Sequence, residues 1–162
     1  MNLHSRYPLL GALALITVLA CEDDDPTAPV LERNFTVTMT GAKERPNPVT
    51  VAGTGTATFT LDAAETTLSY SISVQNMTSA ITAAHIHLGN ANTAFAGNVI
   101  IALTNPVNGQ TFTGTIASTA ALGLGLSWNS LLALIRNGDT YVNVHTTTNP
   151  GGEIRGQIDS TP

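Results

Sequence analysis

Three histidines carry most of the chemistry this sequence could do. His85 and His87 stand two apart in Ala83-Ala84-His85-Ile86-His87-Leu88-Gly89, and His145 ends Tyr141-Val142-Asn143-Val144-His145; the fourth histidine, His4, lies in the first twenty residues. On an extended strand, residues i and i+2 leave the same face about 6–7 Å apart. One ion held about 2 Å from each ring nitrogen can bridge such a pair, and imidazole ligands suit copper or zinc. Histidines spaced this way also serve as plain backbone hydrogen-bonding groups. The position of the third ring therefore decides between the two readings.

The elements that must position these rings are strands. Thr147-Thr148-Asn149-Pro150-Gly151 is strong turn chemistry, and a hairpin closed there sets His145 opposite Glu153, Val144 opposite Ile154 and Asn143 opposite Arg155. That register gathers Val142, Val144, Ile154 and Ile158 on one apolar face, and burial of one face is what fixes a register. His145, Glu153, Asn143 and Arg155 are then expected on the other, solvent-facing side. There Glu153 could orient the His145 ring from behind, or the four could form an ordinary cross-strand polar network.

Upstream, Phe35, Val37 and Met39 alternate with threonines, as do the apolar residues of 53–61, and Asp62-Ala63-Ala64-Glu65 connects to a run over 68–74. Alternation of this kind marks half-buried strands. Further strands are expected over 81–87, 99–103, 111–116, 141–146 and 152–158. One short helix interrupts them, capped by Ser127, with Trp128, Leu131, Leu132 and Ile135 at helical spacing and Asn137-Gly138 as its stop. Trp128 reads as a core anchor, and the helix as a lid on one end of the core. The loop from Gly89 to Gly97 is the expected rim of any site. Eight strands at short spacing imply an all-β, antiparallel sandwich or barrel.

Composition narrows the function. Only 10% of residues are charged and 5% aromatic. From Arg33 onward five basic residues face six acidic ones, so no basic stripe exists to attract nucleic acid. No Gly-x-Ser-x-Gly elbow accompanies the serines, and Asp62 and Glu65 share a turn, so no catalytic set is complete.

The N-terminus reads as targeting. Arg6 precedes an apolar run over 9–19, too short for a transmembrane helix, and Val18-Leu19-Ala20-Cys21 follows. Residues 1–20 are expected to be a lipoprotein signal peptide, since the last four resemble a bacterial lipobox. Cys21, the single cysteine, is then the lipid-modified first residue of the mature chain. Residues 21–33, beginning Cys21-Glu22-Asp23-Asp24-Asp25-Pro26, form an acidic tether. A chain so anchored belongs to the envelope, on the outer membrane, at its periplasmic side or the cell surface.

Gly53-Thr54-Gly55-Thr56-Ala57-Thr58-Phe59, Ala84-His85-Ile86-His87 with Gly89, Tyr141-Val142-Asn143-Val144-His145-Thr146, and Asn149-Pro150-Gly151-Gly152-Glu153-Ile154-Arg155-Gly156-Gln157 occur in the order found in CHRD domains. The chain resembles that family over about 34–159. The resemblance implies an immunoglobulin-like β-barrel, similar to copper/zinc superoxide dismutases, with no settled activity. In that likeness His85 and His87 match the copper-binding pair, but a histidine-rich zinc loop and a disulfide are missing, which argues against dismutase activity. The leading expectation is a non-enzymatic, lipid-anchored envelope module with a protein or glycan partner. The alternative is a copper or zinc protein using His85, His87 and His145.

Overall fold

The alternation of apolar and hydroxyl residues becomes, in the computed structural model, eight antiparallel strands. The structure describes residues 31–92, 97–104 and 106–159; Cys21 and the expected signal peptide lie outside them. The strands are β1 (Asn34–Thr40), β2 (Thr54–Leu61), β3 (Thr67–Gln75), β4 (Ile81–Leu88), β5 (Val99–Ala102), β6 (Thr111–Ala117), β7 (Thr140–Thr146) and β8 (Ile154–Ile158). They pair in the order β5-β4-β7-β8-β1-β2-β3-β6, every neighbour antiparallel. Phe35, Val37, Phe59, Leu68, Ile72, Ile86, Val142, Val144, Ile154 and Ile158 turn inward and are buried in one hydrophobic core. This curled sheet is the all-β sandwich or barrel implied by the short, evenly spaced strands.

The expected hairpin register holds as far as Val144 and Ile154; the pair expected between His145 and Glu153 is not formed. Asn143 pairs with Arg155, Val144 with Ile154 and Thr140 with Ile158. The second strand begins at Ile154 rather than Gly152, because Gly152 adopts φ +131, a conformation that closes the turn.

The helix α1 (Trp128–Arg136) also matches expectation. The Ser127 hydroxyl accepts from the Ser130 amide at 3.2 Å, Leu131, Leu132 and Ile135 are buried, and the chain leaves through Gly138 at φ +70. Trp128 packs against the core while its indole nitrogen donates to the Glu65 carbonyl at 2.6 Å. Arg136 donates to the Glu65 carboxylate at 2.7 Å. The β2–β3 turn and the helix are thereby tied together.

β8 crosses β1 closely at Gly156. A side-chain carbon there would press on Val37 and lie 2.7 Å from the Thr38 carbonyl oxygen. Backbone cannot yield as a side-chain tip does, so Gly156→Ala is expected to destabilise the domain by about 2 kcal/mol. A lowered midpoint in urea unfolding checks this, and an unchanged midpoint would mean the β1–β8 contact is loose.

Candidate metal centre

β4 and β7 bring the three histidines together from both sides of one seam. His85 pairs with Asn143, His87 with Tyr141 and Ala83 with His145, while Ala84, Ile86, Val142 and Val144 take the core side. The imidazoles therefore share the opposite face. His85 Nδ1 lies 3.2 Å from His145 Nε2, and one ring nitrogen from each histidine lies within 4.8 Å of the other two. Ligands about 2 Å from a tetrahedral ion stand about 3.4 Å apart. The cluster is close to that spacing and needs only a small closure.

Backbone carbonyls set the tautomers. Nδ1 of His87 donates to the Gly97 carbonyl at 2.8 Å, and Nδ1 of His145 donates to the Pro150 carbonyl at 3.0 Å. A carbonyl oxygen only accepts, so in both neutral rings the hydrogen sits on Nδ1 and the lone pair on Nε2. His145 Nε2 is thus free to accept from His85 Nδ1, and His87 Nε2 is buried with no partner among the described residues. A bare lone pair in a dry place, on a ring whose other nitrogen is held by a carbonyl, is the arrangement of a metal-binding histidine.

The electrostatics agree with neutral rings. Burial pushes His87 down to about 4, helped by any charge on His85, His145 and Arg155 and outweighing the Gly97 bond. Burial also lowers His85, with His145 adding to it, and lowers His145. At neutral pH all three rings are uncharged and ready to coordinate.

His87 is clamped as well. Its ring stacks on Tyr141, with centroids 4.9 Å apart and planes 6° from parallel, and the Arg155 guanidinium lies 3.4 Å from the centre of the same Tyr141 ring. β7 runs between β4 and β8, so Tyr141 is the middle member of a row from Arg155 to His87. Its hydroxyl accepts from the Gly97 amide at 2.9 Å. Gly97 therefore touches both ends of the His87–Tyr141 stack, as expected of the Gly89–Gly97 rim; the Asn90 carbonyl of that rim accepts from Arg155 at 3.0 Å.

Two expectations for this face need correction. The face is only partly open to solvent: His85 and His145 are half-buried, but His87 is 7% exposed, Arg155 3% and Asn143 2%, with Gly97 and Asn90 of the rim, Glu44 and the Pro150 carbonyl in contact with them. Nor does Glu153 stand behind His145. The turn at Gly152 sends the Glu153 carboxylate to the other side, where it accepts from the Thr78 amide at 2.8 Å, the Thr78 hydroxyl, the Thr146 hydroxyl at 2.6 Å and Asn149 Nδ2 at 3.0 Å. Burial alone would raise this carboxyl; the hydrogen bonds from Thr146, Thr78 and Asn149 outweigh it and hold it below the usual range. Glu153 is a structural hub, and the Pro150 carbonyl does the orienting of His145. Glu153→Gln turns an amide N–H toward those donors and is expected to cost about 2 kcal/mol in chemical unfolding without changing metal uptake.

The sequence reading left out Tyr141 and Glu44. Tyr141 carried a signal, standing two residues before Asn143 and so on the histidine face. Glu44, 4% exposed, accepts from Asn143 Nδ2 at 2.6 Å. Burial raises its carboxyl to about 7 in spite of Asn143, Arg155 and Arg45. Nothing in Lys43-Glu44-Arg45-Pro46 distinguishes this acid from a solvated loop charge.

No curated protein and no solved structure matches the chain. The CHRD domain model matches residues 35–158, from the first core residue of β1 to the last of β8, and includes all three imidazoles. By that match, the chain belongs to the CHRD domain family.

Proposed function

We propose that this CHRD domain is a metal-binding module, holding one copper or zinc ion on His85, His87 and His145, and that it acts by binding rather than by turnover. The observation that carries the reading is the convergence of three ring nitrogens within 4.8 Å, one of them buried without a partner among the described residues. The absence of carboxylates and sulfur from this ligand set favours a metal that accepts neutral nitrogen, and the usual order of divalent affinities places copper(II) above zinc. Protein purified without chelators, or titrated with either ion, is expected to reach one equivalent. A chain that takes up neither ion on titration sinks the proposal.

The position of Cys21 supports an envelope location for the module. Its position after a short apolar run supports a lipid anchor that holds the domain on the outer membrane, with the acidic residues that follow as a spacer. The mass of the mature N-terminal peptide tests this: a diacylglyceryl-modified cysteine supports it, and an unmodified Cys21 in membrane fractions removes it.

A further inference from the structure

The proposed ligand set is neutral throughout. His87 and His145 each give their Nδ1 hydrogen to a backbone carbonyl and keep a lone pair at Nε2, and among the described residues no carboxylate or thiolate joins the three histidines. Glu153 is engaged elsewhere, by Thr78, Thr146 and Asn149. The fixed charge beside the cluster is positive. Arg155, 3% exposed, lies 3.4 Å from the centre of the Tyr141 ring on which His87 stacks, and its charge helps to lower His87. Glu44 feels this guanidinium, but burial raises its carboxyl to about 7, so below that pH it leaves the positive charge largely uncancelled.

His87 is buried, and His85 and His145 are half-buried. The cost of taking an ion out of water into such a place rises with the square of its charge, so a dication costs about four times as much as a monocation. An anionic ligand ordinarily offsets that cost, and this set offers none. Coordination number points the same way. Zinc and copper(II) call for a fourth ligand, which these residues do not supply, whereas closed-shell copper(I) is stable with three nitrogens. We infer that the site is built for the monovalent ion: it binds copper(I) more tightly than copper(II), and the charge of Arg155 contributes to that preference. This rests on the metal reading above and names the oxidation state the site holds.

The test titrates the full chain at pH 6.5, below the Glu44 value of about 7, with copper(I) under anaerobic conditions against bicinchoninate and with copper(II) against iminodiacetate. The copper(I) dissociation constant is expected to be smaller by at least about tenfold, the effect of one unit charge about 10 Å from the ion at an effective dielectric constant of about 20. Equal constants, or a tighter copper(II) complex, overturn the inference. Arg155→Gln removes the charge and is expected to shrink the ratio of the two constants by about the same factor, while Arg155→Lys keeps it. A ratio that Arg155→Gln leaves unchanged also overturns the inference. If that variant misfolds, the two constants of the unsubstituted protein decide the matter alone. A chain that takes up neither form of copper, nor zinc, strikes the metal reading itself, an outcome distinct from any of these.

Discussion

Alanine at His87 is expected to lower copper and zinc affinity by more than about a hundredfold. Disturbing only the outer partner of a ligand already costs about 10- to 100-fold, and this change removes the ligand. His87 is the most prepared of the three rings: the Gly97 carbonyl sets its tautomer, Tyr141 fixes its plane, and its Nε2 lone pair is buried with no partner among the described residues. The two that remain, His85 and His145, already share a hydrogen bond at 3.2 Å and would have to part to serve an ion alone. Calorimetric titration of the variant against the unsubstituted domain measures the loss, with circular dichroism to show that the sheet persists. Affinity within threefold of the original would mean that the ion sits elsewhere.

Glu44→Gln is expected to change how the metal-free domain responds to pH. Glu44 has its folded-state value raised from 4.5 to about 7, so its stabilising contribution is full below pH 4.5 and is lost as pH rises through 7. His87 is lowered from 6.5 to about 4, so its contribution is full above pH 6.5 and is lost as pH falls toward 4. Each shift of about 2.5 units corresponds to about 3 kcal/mol, and the two slopes oppose each other between pH 4.5 and 6.5. The unsubstituted domain should therefore rise in stability much less steeply across that window than it would without Glu44. With glutamine at 44 the opposing slope is gone: stability should climb from pH 4 to pH 6.5 by about 3 kcal/mol from His87, with His85 and His145, also lowered by burial, adding in the same direction, then stay level to pH 8. Urea unfolding in the presence of a chelator reads both curves. Parallel curves would show that Glu44 is not a buried acid.

The strands, the helix and the hairpin register were legible because each depends on local pattern. Threonine alternation, the Ser127 cap and the Asn-Pro-Gly turn act over a few residues, and burial of Val142, Val144, Ile154 and Ile158 permits one register only. The meeting of His85 with His145 was legible to the extent that both were placed on polar strand faces; that β4 pairs with β7 is a long-range fact which no spacing encodes. Glu153 was misplaced for a local reason: the left-handed Gly152 shifts the chain just before β8, and strict alternation stops applying one residue early. The covering of the histidine face was illegible because loops cover it. Glu44 is buried by the 147–152 turn, about a hundred residues further along, and its own neighbours in sequence say nothing of that contact.

The strand that comes last in sequence among the described residues is the one that joins the two halves of the sheet. β8 sits between β7 and β1, so until Ile154–Ile158 leave the ribosome, β5-β4-β7 and β1-β2-β3-β6 are separate ribbons without a shared strand. Pairings that join the beginning of a chain to its end are slow to form. Closure of the core across its whole width therefore waits on five residues, Ile154–Ile158, and on one strand pairing, β1 with β8.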